Sequence, residues 1–369
     1  MRRTFVALIL AAALPVAASQ YKPPAATADG WPVADASKLG WTVATLAGLD
    51  DKMADGSFKQ ITSVVVVDHG RLVYEHYFND GSADLLNDVR SASKSLTAML
   101  VGAAIQRGAI PDVKAPVYAY FPEMRIERPD PRRAGITLED LITMSSVLEC
   151  DDENPFSAGN EERMYVSERW LEFALNIPIR GYAPWVSRPQ ASPYGRTFSY
   201  CTAGSFLAGA VVERATKMPL SRFAHEALEA PLGITQVTWN TSSEGIGMGG
   251  GGTRYRSRDL AKLGLLIAGG GQWHGRQVLS KAWVTAMLTP HAQARDDADY
   301  GYLWRQFRFP IDGVDTKVWA MSGNGGNYVF VLPERGLVTV ITSQAYNKSF
   351  AHAQSQAIFR DYILKSLPR

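Results

Sequence analysis

The chain has 369 residues, of which 46% are hydrophobic and nine are tryptophan, so it can bury a large core in one unit or two interlocked ones. The chain has 38 basic and 36 acidic residues. Arg2 and Arg3 lie in a predicted signal peptide, and without them 36 basic residues face 36 acidic ones. This neutral balance indicates no nucleic-acid or anionic partner. The sequence has no HExxH motif and no zinc-type cysteine pair, so we expect no metal site and no cofactor.

The first predicted element is a secretory signal peptide at residues 1–19, with cleavage near Ala18 to Ser19. Two arginines precede an apolar run at residues 5–18, and small residues follow it. The run is shorter than the roughly 20 residues that cross a bilayer, so a retained membrane anchor is the weaker alternative. We expect a secreted or periplasmic protein without a stable membrane anchor.

Residues 20–40 are rich in proline and glycine, and they are predicted to form an irregular leader. The first regular structure with a strong pattern is a β-hairpin at residues 61–78. Its β-branched and aromatic residues flank Asp68-His69-Gly70, which supplies the turn. His69 is therefore interpreted as a turn residue rather than a catalytic one.

Helical spacing of apolar residues begins at residues 91–107 and recurs through residues 91–244, so this middle part is predicted to be mostly α. The glycine run at residues 249–252 lacks the lysine and hydroxyl that close a phosphate loop, so we interpret it as structural. Another helix follows it, with Ser257 as the predicted N-cap and Gly269 at its end.

Strand patterns return near the C-terminus, before a closing helix at residues 351–364. The predicted strands lie at residues 300–307, 317–321, 328–332 and 337–342. The fold class is therefore predicted to be α/β (α+β), with an antiparallel sheet flanked by helices and built from both chain ends. We expect a single unit at residues 41–369, with an α/β part at 41–90 and 245–369 and a mostly helical subdomain inserted at 91–244.

The chain has two cysteines, Cys150 and Cys201, an even count in a chain predicted to enter an oxidising compartment. We predict a disulfide between them, about fifty residues apart. Two buried unpaired thiols remain the alternative, because sequence alone does not give the Cα separation of under about 7 Å that a bridge requires.

The motif that carries chemistry is Ser-x-x-Lys at Ser91 and Lys94. If Ser91 lies at a helix N-terminus, residues three apart share a face, so the amine can reach the hydroxyl. The helix dipole favours negative charge at that end, and burial favours the neutral amine that accepts a proton. The spacing alone is weak, since Ser19 and Lys22 match it too, and an N-cap serine with a solvated lysine is the alternative. The position between a strand pair and an apolar helix favours Ser91.

In this setting the chain resembles the penicillin-recognising serine hydrolases, which include class C β-lactamases, D-Ala-D-Ala carboxypeptidases, esterases and aminohexanoate-oligomer hydrolases. Five segments carry the resemblance in the family's order: RSASKSLTAMLVGAAI, ITLEDLITMSSVL, PYGRTFSYCTAG, GGGTRYRSRDLAKLG and SGNGGNYVFVLP. The resemblance covers most of the chain after the leader. It implies a β-lactamase/transpeptidase-like fold and a serine nucleophile.

By the resemblance, Tyr200 matches the tyrosine of the family's Tyr-x-Asn element, which lies beside the serine and shares proton transfer with the lysine. Thr202 stands where the family usually has asparagine, so a hydroxyl replaces an amide that contacts the substrate. The resemblance thus implies a catalytic group of Ser91, Lys94 and Tyr200, with Thr202 in the substrate site.

The family's Lys-Thr-Gly or His-Thr-Gly element is matched to Asn324, Gly325 and Gly326, which are expected to contact the substrate. The cation or imidazole and the hydroxyl that would meet a β-lactam carboxylate are absent from these three positions. The backbone N–H groups of Ser91 and Asn327 are expected to stabilise the oxyanion, whatever the side chains are.

The sequence therefore predicts a serine hydrolase that cleaves an ester or amide bond of a small or peptide-like substrate through an acyl-enzyme on Ser91. Lys94 and Tyr200 are expected to share the proton transfer, and the sequence does not say which is the base. A β-lactamase or D,D-peptidase is the alternative within the same class. A catalytically silent ligand-binding relative is the alternative outside it.

Overall fold

The computed structural model describes residues 20–28, 30–182, 193–311 and 313–368. The predicted signal peptide at residues 1–19 lies outside these ranges. The α-helices are α1 (Val43–Ala54), α2 (Lys94–Gln106), α3 (Leu138–Ile142), α4 (Glu161–Tyr165), α5 (Trp170–Asn176), α6 (Thr202–Thr216), α7 (Leu220–Ala224), α8 (Ser257–Ala268), α9 (Lys281–Met287) and α10 (Ala351–Ile358). The strands are β1 (Ile61–Asp68), β2 (Arg71–Tyr77), β3 (Asn87–Asp88), β4 (Arg254–Tyr255), β5 (Gln272–Trp273), β6 (Arg276–Gln277), β7 (Ala292–Arg295), β8 (Ala298–Tyr300), β9 (Arg305–Ile311), β10 (Val314–Gly323), β11 (Asn327–Leu332) and β12 (Leu337–Ser343).

Eight of these strands form one antiparallel sheet in the order β2-β1-β12-β11-β10-β9-β8-β7. β1 pairs with β12 from Ser63 opposite Thr342 to Asp68 opposite Leu337. The earliest strand of the chain thus lies beside the last one, and most of the helices come between them in sequence. This arrangement confirms the predicted fold class.

The hairpin of β1 and β2 anchors the sheet. Its turn residues His69 and Gly70 have φ angles of 48° and 78°, the left-handed values that a tight two-residue hairpin turn requires. All eight residues of β1 are buried. Because side chains alternate along a strand, Val65 enters one core and Val66 enters another on the opposite face. The sheet is therefore covered on both faces.

Helices cover the two faces unequally. The larger core contains Leu100 of α2, Phe206 of α6 and Leu263 of α8. The smaller core lies on the opposite face, against Leu46 of α1 and Ile358 of α10. The inserted helical part thus packs on one face only, which leaves α2 and α6 in contact beside the end of β10.

Residues 20–28 and 30–40 contain one short helix, the 3₁₀ turn Ala36–Leu39. The segment lies along β2, where the Tyr21 hydroxyl donates to the carbonyl of Val73 at 2.8 Å. Within the described ranges, no helix has the length and apolar character needed to cross a membrane.

Two predicted boundaries are wrong. The strand predicted at 300–307 is divided between β8 and β9, because Leu303 adopts a left-handed φ of 55° in the link. Ser257 is the first residue of α8 rather than its N-cap, a position that Arg256 takes. The Ser257 hydroxyl instead lies 2.7 Å from that of Ser63, where it ties α8 to the sheet.

Two helical glycines give opposite predictions for stability. A Cβ at Gly264 of α8 would lie 2.5 Å from Cγ1 of Val338 in the sheet, so Gly264→Ala should lower the free energy of unfolding by about 1–3 kcal/mol. A Cβ at Gly48 of α1 would have its nearest neighbour at 3.9 Å, so Gly48→Ala should raise it by about 0.5–1 kcal/mol. Urea unfolding measures both, and equal effects of the two changes would contradict the packing of α8.

Candidate active site

Ser91 lies in a 3₁₀ turn, Arg90–Ser93, that leads directly into α2. The chain enters this turn through Arg90, which has a left-handed φ of 50°. The N–H of Arg90 donates to Oδ1 of Asp88 at 3.0 Å, and the Ser93 hydroxyl donates to the carbonyl of Arg90 at 2.8 Å. Such a backbone conformation costs about 1–3 kcal/mol in a residue other than glycine, and these bonds hold it in place.

Lys94 is the first residue of α2, and only 1% of its surface is exposed. Its Nζ lies 2.9 Å from Oγ of Ser91 and donates to the carbonyl oxygen of Gly250 at 2.6 Å. The three-residue spacing therefore brings the amine and the hydroxyl together inside the protein. The alternative of a solvated lysine beside an N-cap serine is excluded by this burial.

The glycine run threads between α2 and α6. A Cβ at Gly249 would lie 2.9 Å from the carbonyl oxygen of Ser205, and one at Gly250 would lie 2.8 Å from Cγ2 of Thr202. The run is structural, as predicted, because no side chain fits at Gly249 or Gly250. The run also supplies the carbonyl of Gly250 that accepts a hydrogen bond from Lys94. Sequence reasoning missed this contact, because every residue has a backbone carbonyl.

Tyr200 completes a group with Ser91 and Lys94. Nζ of Lys94 lies 4.9 Å from the centre of the Tyr200 ring, and the guanidinium carbon of Arg305 lies 5.2 Å from the same centre. The ring thus lies beside the amine of Lys94 and the guanidinium of Arg305, whose positive charge the ring electrons attract. Sequence reasoning missed Arg305, which lies at the start of β9 and outside every motif.

The disulfide between Cys150 and Cys201 is confirmed, with the two Cα atoms 5.4 Å apart. Further contacts join the same two segments. The Ser199 hydroxyl donates to the carbonyl of Cys150 at 2.7 Å, and the N–H of Asp152 donates to the carbonyl of Tyr200 at 2.9 Å. The main chain on both sides of Tyr200 is therefore fixed to the loop that begins at Cys150.

Asp152 is a site residue that sequence reasoning did not find. Its Oδ2 accepts from the N–H of Thr202 at 2.6 Å and its Oδ1 from the N–H of Glu161 at 2.9 Å, so one carboxylate joins the first residues of α6 and α4. Burial raises the pKa of Asp152 to about 6, although the charge of Lys94 and the bond from Thr202 oppose this rise. Only its position beside Cys150 could have drawn attention to it.

Thr202 is the first residue of α6 and lies beside the glycine run. Its side chain is fully buried, and its hydroxyl has no hydrogen-bond partner among the described residues. The substrate contact of Thr202 stays a prediction.

The three residues matched to the Lys-Thr-Gly element form the turn between β10 and β11. Gly325 and Gly326 have left-handed φ angles of 89° and 80°, and an added Cβ would meet Tyr346 and Ala351 respectively. Asn324 is exposed, and its amide lies 2.5 Å from Oδ1 of Asn347. These two glycines shape a turn packed against the C-terminal part, and the substrate contact of Asn324, Gly325 and Gly326 stays a prediction.

The strand β10 approaches the Ser91 turn at Gly323, the residue directly before the turn between β10 and β11. An added Cβ there would lie 2.0 Å from the carbonyl oxygen of Val89 and 2.9 Å from the nitrogen of Ala92. Asn327 lies opposite Gly323 in the hairpin and is 1% exposed, with its side-chain amide bonded to the carbonyls of Asn324 and Ser343. The oxyanion role of the Asn327 backbone stays a prediction.

The described residues contain no group of three or more His, Cys, Asp or Glu side chains that could hold a metal ion. The site is thus made of a hydroxyl, an amine, a phenol and backbone groups. Such a set suits acyl transfer, in which a hydroxyl attacks a carbonyl while a neighbouring base takes its proton.

The family model described as Beta-lactamase matches residues 49–360, most of the chain. The chain belongs to this beta-lactamase family. It is 27% identical over 316 residues to the 6-aminohexanoate-dimer hydrolase of Paenarthrobacter ureafaciens, a match that covers 84% of this chain and 75% of that one. As a member of this family it is a serine hydrolase that acts on amide or ester bonds.

Solved structures show the same beta-lactamase fold. The simvastatin synthase LovD of Aspergillus terreus superposes with a TM-score of 0.63 at 20% identity and covers 90% of this chain and 98% of its own. The D-stereospecific amidohydrolase of a Streptomyces species superposes with a TM-score of 0.61 at 18% identity, covering 86% of this chain and 97% of its own.

The raised pKa of Asp152 predicts a pH dependence of stability. Because burial raises the pKa from 3.8 to about 6, the contribution of this group is full below about pH 4 and is lost as the pH rises through 6. The unfolding free energy of Asp152→Asn minus that of the wild type should therefore increase by about 1–3 kcal/mol as the pH rises from 4 to 8. Urea unfolding across this range measures it. The exposed Asp130, whose pKa Arg132 lowers to about 2, gives the control Asp130→Asn, which should show no such gain.

The close approach at Gly323 predicts an effect on activity. In Gly323→Ala the new Cβ would meet the backbone of Val89 and Ala92, so β10 and the Ser91 turn must move apart. A displacement of about 1 Å in an active site costs about 100-fold in rate, which p-nitrophenyl ester hydrolysis would measure. Gly135→Ala, where nothing lies within 4 Å, is the control, and an equal rate for both variants would contradict the role of Gly323.

Proposed function

We propose that this chain is a secreted serine hydrolase in which Ser91 forms an acyl-enzyme with an ester or amide substrate. The observation that carries the proposal is the Lys94 amine, which is 1% exposed and lies 2.9 Å from the Ser91 hydroxyl. Activated serine nucleophiles require a base within about 2.6–3.2 Å of the hydroxyl, and this pair meets the condition.

In acylation, Oγ of Ser91 attacks the carbonyl carbon of the substrate while its proton passes to Nζ of Lys94. The bond from the carbonyl carbon to the leaving nitrogen or oxygen then breaks, and the leaving group takes up the proton. A water molecule attacks the acyl-enzyme by the same route, which releases the acid and restores Ser91. Tyr200 shares these proton transfers, since its ring borders Nζ of Lys94.

The carbonyl of Gly250 supports this chemistry by fixing the amine. It accepts one N–H of Lys94 at 2.6 Å, so the amine is held with its remaining positions toward Ser91. A neutral amine in this orientation can take the hydroxyl proton with no further movement. The geometry thus supplies the pre-positioning on which general base catalysis depends.

Backbone N–H groups are proposed to bind the oxyanion. The N–H of Ser91 belongs to the 3₁₀ turn, and the N–H of Asn327 belongs to the hairpin that Gly323 brings against that turn. Charge that develops on the carbonyl oxygen is stabilised most by donors that are already in place, and losing one donor typically costs about 100-fold to 1000-fold in rate.

Ester or amide hydrolysis is preferred over β-lactam hydrolysis. Asn324 replaces the expected cation, and its amide already bonds to Asn347. The relative from Paenarthrobacter ureafaciens is named as a hydrolase of an amide dimer, and the Streptomyces protein is named as an amidohydrolase. Both names support a small amide or ester substrate.

Secretion is supported by the cysteine chemistry. Disulfides persist in oxidising compartments, and the pair Cys150–Cys201 is bonded in the structure. The predicted signal peptide at residues 1–19 agrees with this location.

A fluorophosphonate probe tests the nucleophile. The wild type should be labelled at Ser91, and Ser91→Ala should lose labelling by at least about 1000-fold, because the variant lacks the hydroxyl that lies against the Lys94 amine. Ser37→Ala, which removes an exposed serine from another 3₁₀ turn, is the control and should be labelled normally. Mass spectrometry of the labelled peptide identifies the site. Equal labelling of the wild type and Ser91→Ala, or none of either, would refute the assignment.

A further inference from the structure

Arg305 lies beside the proposed catalytic group but belongs to none of its motifs. It is the first residue of β9, opposite Tyr300 of β8, and its side chain is partly exposed. Its guanidinium carbon lies 5.2 Å from the centre of the Tyr200 ring and 5.7 Å from that of Tyr300. Nζ of Lys94 and the guanidinium carbon of Arg305 each lie about 5 Å from the Tyr200 ring centre, so these two atoms are at most about 10 Å apart.

The guanidinium of Arg305 has no anionic partner. Across residues 20–28, 30–182, 193–311 and 313–368 it forms no ion pair and no hydrogen bond. Its neighbours differ in this respect, since Arg308 on the same strand pairs with Asp299 at 2.9 Å and Arg295 pairs with Glu153 at 3.5 Å. The nearby acids are thus already paired with other arginines, and Arg305 keeps all its donors available.

The surroundings of Arg305 also favour an anion. Burial, together with the charges of Arg305 and Arg295, lowers the pKa of His352 to about 4, so this imidazole is neutral at pH 7. The two tyrosine rings that flank Arg305 exclude water from part of the guanidinium. A planar guanidinium with five donors and a partly dry setting is suited to bind a carboxylate through two parallel hydrogen bonds.

We propose that Arg305 binds a carboxylate of the substrate, and that the enzyme prefers esters or amides that carry a carboxylate a short chain away from the scissile bond. The inference rests on the proposed function, because the distance from the carboxylate to the scissile bond is measured from the Ser91 and Lys94 pair. The positive charge that is absent at Asn324 would thus come from a different strand, β9. Arg305 is thus a specificity-determining residue, separate from the groups that move the proton.

Matched esters test the proposal. The first pair is p-nitrophenyl hexanoate and the mono-p-nitrophenyl ester of adipic acid, which have similar chain lengths and differ in the terminal carboxylate. The second pair places the carboxylate in the leaving group, as phenyl butyrate and 3-butyryloxybenzoate. The wild type should show a higher kcat/KM for the charged member of at least one pair, and added salt should reduce the advantage.

Arg305→Gln should lower kcat/KM for the preferred charged ester by about 10-fold to 100-fold and leave the neutral ester within about twofold, as expected for hydrogen bonds to a charged group. Arg305→Lys should retain part of the preference, since it keeps the charge but not the paired donors. Arg308→Gln is the matched control on the same strand, and it should leave the ratio of the two esters unchanged.

A direct binding measurement adds a second readout. Adipate should bind to the Ser91→Ala protein in titration calorimetry and should bind at least about tenfold more weakly once Arg305→Gln is added. The proposal is overturned if the wild type has no preference in either pair, or if Arg305→Gln slows charged and neutral esters equally, which would make Arg305 a support for Tyr200. Turnover that persists in Ser91→Ala would instead refute the proposed function, and the inference with it.

Discussion

The structure of the site depends on the burial of one amine. Lys94 is almost completely enclosed, and its Nζ contacts one hydroxyl and one backbone carbonyl. A buried amine needs such partners, because removing an amine from water without them costs several kcal/mol. To supply the carbonyl, the glycine run must pass between α2 and α6 at a distance that excludes side chains. To supply the hydroxyl, the chain must turn sharply before α2. The glycines and the strained Arg90 are both consequences of enclosing Lys94.

The groups around Lys94 lower the stability of the folded protein, and other parts of the fold compensate for this loss. Arg90 has a left-handed backbone, and Asp152 has a carboxyl whose ionisation is opposed by burial. The hydroxyl of Thr202 is buried with no hydrogen-bond partner in the part of the chain that the structure describes. Each of these features lowers stability. The sheet compensates through two cores, one on each face, and the disulfide joins the loop of Asp152 to Tyr200. Stability is thus concentrated in the sheet, and unfavourable local features are concentrated at the site.

The sequence predicted those parts whose signals are local. The hairpin at β1 and β2 follows from strand alternation around Asp68-His69-Gly70, and the pairing of Cys150 with Cys201 follows from an even count in an oxidising compartment. In the segment SGNGGN, three glycines look equivalent in sequence. Only the tertiary contact of Gly323 with Val89 distinguishes the strand from the turn. Gly250 was missed because it acts through its backbone carbonyl. Arg305 was missed because it lies outside every motif.

Tyr200 links the reacting groups to the groups that would select the substrate. One side chain near its ring is the buried amine of Lys94, and another is the partly exposed guanidinium of Arg305. The ring places a polarisable surface beside both groups, and its electrons attract the positive charge of the guanidinium. Its backbone is fixed by Asp152 and the disulfide, so the ring has little freedom to follow either partner. If Arg305 binds a substrate carboxylate, as proposed, the substrate must span the distance from Oγ of Ser91 to that guanidinium. The main chain fixes the backbone of Tyr200, so replacing Arg305 would change the affinity for the charged group and leave the reacting groups in place.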